Sequence, residues 1–599
     1  MKYINKIGMM IAVGGMLAAT SCSDFSDYNT ADYDTSAMAG KTLWQNISEN
    51  ENLQNFAALV KKAGFADNLN NPRFYTVFAP LDGTYDAAAL MQEDSVTVLK
   101  EFVKQHIVEY NHPVSGNVDE SLLSLNLKSH HFTNDSYGES SINTANLPAT
   151  NGVMHILNAS DTYYSSIYEY VSKIQGCDSL KSYIQNYDVN YIDESNSILG
   201  PIVNGEQTYE HIEYITRNTV INNILNADID NEDSTYTMLF PTDQAWNASY
   251  SRINPDYNYI AKVTYMDLSS VTATTEASSI AATIGKKDLT VSAPEFLQDS
   301  LTTRSMVRNL AFSDGYPQNK ALIAGGGTET DTLISSSRKE LPSALYVDQH
   351  TLSTNKMSNG YVRVVDSIPF HPWDTFEPVI RTRSVGRALK CTATSNSVTK
   401  KSLADRDSLF SLVPEFIYER IMGDKSESED NFRYTMSSSI TATSAKPEFN
   451  FPIENVLSTK YHIYVVTVPE QIDDTTATAK PYYLNFYLNY TNASNTQVKT
   501  QLNLSSSADP SWGPQAVTSK IGTKNVTSIV TVGGKVNVID LGEFTFPICY
   551  YGLDAYPTLM MCHTQSYASS SNREKYERYM RVAGVYLFPV EADTYFKNK

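Results

Sequence analysis

Phe74-Tyr75-Thr76-Val77-Phe78-Ala79-Pro80-Leu81-Asp82 and, further along, Asn151-Gly152-Val153-Met154-His155-Ile156-Leu157-Asn158 are the stretches on which the reading of this chain turns. The first is aromatic and β-branched and is stopped by proline, which marks a strand. The second opens on Asn151-Gly152, a tight-turn dipeptide, and runs on as a strand. Ahead of both, Leu43, Trp44, Ile47, Leu53, Phe56, Leu59 and Val60 recur at helical spacing, and Gly64 stands where a C-cap glycine belongs. Between them, Val98, Leu99, Phe102, Val103 and Ile107 set out another amphipathic helix ending near His106. The expected order is a helix pair, a strand, a helix, and a strand entered through a tight turn.

Both stretches recur. Tyr236-Thr237-Met238-Leu239-Phe240-Pro241-Thr242-Asp243-Gln244-Ala245-Trp246 repeats the first, and Asn359-Gly360-Tyr361-Val362-Arg363-Val364-Val365-Asp366 repeats the second. Two motifs found twice in the same order mark an internal duplication. The arrangement resembles the fasciclin domain, whose aromatic strand running into Ala-Pro-Thr-Asp/Asn, central histidine and Asn-Gly-Val-Ile-His-x-Ile-Asp are matched by Phe74 to Asp82, His106 and Asn151 to Asn158. Leu81 stands in place of the threonine, and Gly83 follows Asp82. The resemblance implies an α+β multidomain chain, with a β wedge plus helices over residues 40–160 and again over 178–370. The second copy is longer, and its excess, about 249–301, is expected to be an insertion on one face, because lengthening a surface loop adds little closure entropy.

The motif residues read as structural. Asp82 and Asp243 follow a strand and precede a helical run, so their carboxylates are expected to accept from free N–H groups at the start of that helix. His106 and His155 lie in apolar patterns, where a polar ring needs a hydrogen-bond partner. Asn151, Gly152, Asn359 and Gly360 form the turns, and Trp44 and Trp246 occupy core positions of their helices.

Beyond His371-Pro372-Trp373 the helical spacing fades, apart from a short helix over Leu409 to Met422, and alternating strands separated by Ser, Thr, Asn and Gly take over. Residues 374–599 are therefore expected to form an all-β sandwich. Asp540-Leu541-Gly542-Glu543-Phe544 and the closing Arg578 to Pro589 run resemble the last strands of jelly-roll domains of the galactose-binding type. Forty tyrosines suit half-buried strands and also suit stacking on sugars. Trp512, in Asp509-Pro510-Ser511-Trp512-Gly513-Pro514, is expected to hold its indole in solvent, and Tyr550 and Tyr551 are further candidate ligand contacts.

The chain has 599 residues, about four domains' worth by size. Its formal charge of -20 makes nucleic acid a poor partner. Lys2 and Lys6, an apolar run from Ile7 to Ala19, and small residues before Cys22 read as a signal of residues 1–21. The run is about thirteen residues, short of the roughly twenty that cross a bilayer. The cysteine resembles a bacterial lipobox, which implies an acylated Cys22. Residues 22–39 would then be an acidic tether, whose Ser23-Asp24-Phe25-Ser26-Asp27 resembles the export signal of surface lipoproteins in Bacteroides-type bacteria.

Cys549 and Cys562 either pair in an oxidising compartment or remain two buried thiols. There is no G-x-S-x-G, H-E-x-x-H, phosphate-binding glycine loop or EF-hand loop, so no cofactor, metal or catalytic set is expected. The expected function is non-catalytic binding at the cell surface, adhesion to an extracellular protein or polysaccharide. The alternatives are a glycan-capture accessory of an outer-membrane uptake system and, further off, a carbohydrate-active enzyme whose two carboxylates are brought together only by folding.

Overall fold

Tyr75–Pro80 and Gly152–Leu157 are strands buried at every position, paired in parallel from Tyr75↔Gly152 to Pro80↔Leu157. Successive side chains point to opposite faces of a strand, and both faces are covered here. Tyr75, Val77, Ala79, Met154 and Ile156 pack with Leu43, Ile47, Phe56, Leu59 and Val60 of the helices. Phe78 and Leu157 pack with Val108, Phe132 and Tyr137. That double burial is why both stretches read as nearly unbroken apolar runs rather than alternating ones.

The computed structural model describes residues 40–194, 197–212, 214–268, 285–342, 344–383, 397–402, 431–436, 448–472, 474–521, 523–565, 574–577 and 580–598. The signal, Cys22, the acidic tether, Cys391 and the expected helix over 409–422 lie outside the described residues. The helices ahead of the first strand are Leu43–Ser48, Gln54–Lys62 and Ala66–Asn70. Thr42 starts the first of them in a reciprocal capping box with Gln45. The strand order of the first sheet is Ile107–Glu109, Tyr75–Pro80, Gly152–Leu157, Ser140–Ala149, Ser136–Tyr137, Ser129–Thr133, Asp119–Leu123. The repeated motifs lie on adjacent strands of a four-stranded sheet ordered Ala311–Ser313, Tyr236–Pro241, Gly360–Val365, Thr351–Met357.

Toward the C-terminus stand two six-stranded sheets. In one, Arg581–Pro589, buried at all nine positions, lies between Asn431–Met436 and Lys460–Thr467. In the other, Thr558–His563 lies between Glu448–Pro452 and Tyr483–Thr491. No described helix is long and apolar enough to cross a membrane.

By compactness the chain divides into two units. One holds residues up to 174 with 228–236 and 355–362; the other holds 175–227, 237–354 and 363–599. Within the second, the described part of the stretch 249–301 holds regular elements. It forms the strands Lys262–Met266 and Lys286–Thr290 and the helix Pro294–Val307, and Tyr257, Tyr259, Val263, Tyr265 and Leu268 are buried. Asn258 N–H donates to Ser458 Oγ and Cys549 N–H to Asn258 O, both at 2.8 Å. Tyrosine makes this possible, burying its ring while its hydroxyl finds a partner: Tyr259 donates to Tyr551 O at 2.7 Å.

Candidate functional site

The Asn-Gly turns organise their surroundings in the same way twice. Asn151 Oδ1 accepts from Leu43 N–H at 2.8 Å, while its Nδ2 donates to Leu69 O at 2.8 Å and Asn71 O at 2.7 Å. Asn359 Oδ1 accepts from Ile167 N–H at 2.8 Å, and its Nδ2 donates to Ile229 O at 2.8 Å and Asn231 O at 3.1 Å. Each asparagine thus ties a helix start to the chain entering the neighbouring strand. The glycines that follow admit a backbone oxygen where a side chain would sit: a Cβ on Gly152 would lie 2.0 Å from Tyr75 O, and one on Gly360 1.9 Å from Tyr236 O.

Asp82 and Asp243 do accept from a helix start, but from an earlier helix than expected. Both oxygens of Asp82 lie 3.1 Å from Asn55 N, in the first turn of Gln54–Lys62. Asp243 Oδ1 accepts from Ser179 N–H at 2.7 Å, in the first turn of Asp178–Gln185. The cap of the helix beginning at Asp243 is the shorter side chain of Thr242, which reaches Ala245 N–H at 3.2 Å. The aspartates therefore bridge elements distant in sequence, a role that local capping preference cannot show.

Both motif histidines are held neutral. His106 Nδ1 donates to Phe102 O at 2.7 Å, leaving Nε2 to accept from Asp161 N–H at 3.1 Å. His155 Nε2 donates to His112 O at 3.0 Å. Burial drives both rings down to about 4.

Beside His106 opens a cleft of about 270 Å³ whose lining includes Lys128, His130, Glu139, Asp161 and Lys356. His130 Nδ1 lies 2.8 Å from Asp161 Oδ2, and Gly138 at φ +58° lets that carboxylate approach, since a Cβ there would fall 2.4 Å from Asp161 Oδ1. Lys128, 5 % exposed, donates to Glu169 Oε2 at 2.9 Å, Glu232 Oε1 at 2.5 Å and Ser358 Oγ at 3.1 Å. Burial alone would raise Glu169, but Lys100 and Lys128 outweigh it and bring it down to about 2. At the rim, Lys356 Nζ bonds Glu139 at 2.6 Å and stands 4.4 Å from the ring centre of Tyr164. The cleft thus offers a polar wall whose charges are already matched, with an aromatic edge at its mouth.

A second cluster lies in the other unit. Arg252 bonds Asp256 at 2.9 Å, Glu377 at 3.2 Å and Glu591 at 3.2 Å. Glu377 is 1 % exposed and Asp256 4 %. Burial first, and the neighbouring Asp256 second, push Glu377 up to about 8. Crowding two buried carboxyls together disfavours ionising both, while Arg252 is 38 % exposed and lines a cavity of about 260 Å³ with Ile253, Met306 and Phe376.

Of the expected ligand contacts toward the C-terminus, Trp512 and Tyr550 are buried and Tyr551 is half-buried. Trp512 is 7 % exposed and packs with Tyr464, Val466, Val538 and Tyr586, so its indole is not held in solvent. The short 3-10 turn Pro510–Trp512, capped by Asp509, folds the loop inward. Tyr550 is fully buried, its hydroxyl accepting from Thr491 N–H at 2.8 Å. Tyr551 is half-buried and gives its carbonyl to Tyr259. Cys549 and Cys562 are both thiols, and burial pushes Cys549 up to about 12. Sequence reading did not find the Lys128 cluster. Its partners lie 41, 104 and 230 residues away in the chain, so no spacing betrays them.

Residues 51–160 match the Fasciclin domain family. The structure is similar to the FAS1 domain pair of the insect cell adhesion molecule fasciclin I at 12 % identity, over 54 % of this chain and 99 % of that one, with a TM-score of 0.19. It is similar at 9 % identity to the CBM22-1 xylan-binding domain of Paenibacillus barcinonensis Xyn10C, over 35 % and 92 % of the two chains, with a TM-score of 0.17. It is similar at 9 % identity to the CBM22-1 and GH10 modules of a Clostridium thermocellum xylanase, over 32 % of this chain and 24 % of that one, with a TM-score of 0.16. Comparison with curated proteins gives no match. The sequence match makes the assignment: residues 51–160 of this chain are a fasciclin domain.

Proposed function

We propose that this protein is a non-catalytic binding protein of the bacterial cell surface, anchored by lipid at Cys22 and gripping an extracellular protein or polysaccharide. The observation that carries the reading is the fasciclin domain at 51–160. The cleft in that unit supports it: Lys128 and Lys356 each sit in an ion pair, and His130 Nδ1 stands 2.8 Å from Asp161. A polar wall of paired charges with an aromatic rim suits contact with a polar ligand. We read residues 178–370 as a second fasciclin-like domain, on the strength of the repeated asparagine, glycine and aspartate geometry, and residues 374–599 as a jelly-roll-like sandwich.

Anchorage raises the effective concentration of neighbouring copies and converts weak single contacts into avid ones. Metabolic labelling with a fatty acid tests the anchor: the wild-type chain takes up label and fractionates with membranes, and Cys22→Ser does neither. Adhesion of the two strains to immobilised matrix protein and to polysaccharide then tests the grip. Equal adhesion by both would contradict the reading.

A further inference from the structure

The second unit carries a feature that no part of this reading uses. Asp188–Ile192 pairs antiparallel with Tyr214–Asn218, and Ile198–Val203 pairs with Glu206–His211. Asn204 at φ 55° and Gly205 at φ 86° turn the chain at the tip, the left-handed pair an Asn-Gly hairpin requires. The two pairs, each a two-stranded sheet by itself, are called the arm. Its root is fixed by Asn218, 4 % exposed, which donates to Ile184 O at 2.7 Å and Asp188 Oδ1 at 2.6 Å.

Along the arm, large apolar side chains stand in solvent: Ile202 is 69 % exposed, Leu199 and Tyr214 59 %, Tyr191 50 % and Ile215 45 %. They occupy both faces, because cross-strand partners share a face and neighbours alternate. Tyr191 opposes Ile215 on one side, and Ile192 opposes Tyr214 on the other. A two-stranded ribbon in water is marginal by itself and leaves two backbone edges open. Exposed apolar side chains in that setting mark an interaction surface.

Charge selects what it takes. Between Asp188 and Asn218 the sequence holds Asp188, Asp193, Glu194, Glu206, Glu210 and Glu213 against Arg217 alone. A second copy would bring the same excess of acid to the contact, and nucleic acid or an anionic bilayer would be repelled. We propose that the arm at 188–218 is a docking site for an extended segment of another protein, apolar at alternate positions with lysine or arginine between them, which adds to the arm as a further strand. Backbone pairing supplies the grip, and the apolar and basic side chains supply the selection.

The test uses the full chain and two peptides of about eight residues, one alternating valine with lysine and one alternating valine with glutamate, each followed by fluorescence anisotropy. The valine–lysine peptide binds, weakens with added salt, and protects the amides of 188–218 in hydrogen exchange. The valine–glutamate peptide does not bind. The triple variant Leu199→Ser, Ile202→Ser and Ile215→Ser keeps the charge and alters only solvent-facing side chains; it binds the valine–lysine peptide at least about tenfold more weakly. Glu194→Gln with Glu206→Gln, both at exposed positions, weakens binding and flattens the salt dependence. The proposal is overturned by equal binding of both peptides, by unchanged affinity in the triple variant, by protection elsewhere than the arm, or by sedimentation showing that the arm joins two copies of the chain.

Discussion

Gly152 and Gly360 set the tightest local requirement in the fold. A methyl group at either would drive into a backbone oxygen, Tyr75 O at 2.0 Å or Tyr236 O at 1.9 Å, and a backbone atom cannot swing aside as a side chain can. Replacing either by alanine is expected to cost about 3 kcal/mol of local stability, read by hydrogen exchange in the strand that follows. Gly116 has φ +66° but open space around its Cβ direction, so Gly116→Ala should cost only about 1 kcal/mol, the conformational penalty alone. The buried histidines make a second prediction at this scale. His106 and His155 fall from 6.5 to about 4 in the folded chain, through burial. Between those values the unfolded chain binds more protons. The stability they contribute is therefore full above about pH 6.5 and is lost as pH drops toward 4. Imidazole NMR signals of both should stay in the neutral form until pH approaches 4; titration near 6.5 would show that they are not buried as described.

The C-terminal helix Val590–Asn598 is held by charge. His462 Nε2 lies 2.5 Å from Asp540 and its Nδ1 3.2 Å from Asp593, a helix residue that also bonds Lys597 at 2.7 Å and accepts from Tyr464 at 2.9 Å. Burial disfavours the charged ring, but the two carboxylates prevail and raise it to about 9. Because the folded value lies above the ordinary 6.5, stability from this group is full below about pH 6.5 and is lost as pH rises through about 9. The thermal midpoint, followed by tyrosine circular dichroism, should fall across that window in the wild type and stay flatter in Asp593→Asn. A wild-type midpoint that held steady would contradict the assignment. The paired strands around the Asn-Gly turns were legible in sequence because aromatic and β-branched residues carry their own signal. The Asp82 and Asp243 bridges and the His462 cluster were not, since each joins residues far apart in the chain. Trp512 misled for a related reason: a Pro- and Gly-flanked loop looks exposed until its capping aspartate and the surrounding sheet turn the indole inward. The arm at 188–218 did leave a trace, the Asn204-Gly205 turn that follows the apolar run Ile198 to Val203.

At the scale of the whole molecule, the two charge clusters described above are each engaged with their own partners. Asp256 and Glu377 are buried around Arg252; in the cleft Glu169 and Glu232 meet Lys128, and Glu139 meets Lys356. The proposed function is that such a protein holds its ligand and leaves it unchanged. Incubating the purified chain with immobilised matrix proteins and polysaccharides, while assaying bound protein and released reducing sugar from the same wells, tests this most directly. The account predicts saturable retention on one class of surface with no sugar released above the blank. Release of sugar that disappears when Glu377 or Glu139 is changed to glutamine would contradict it.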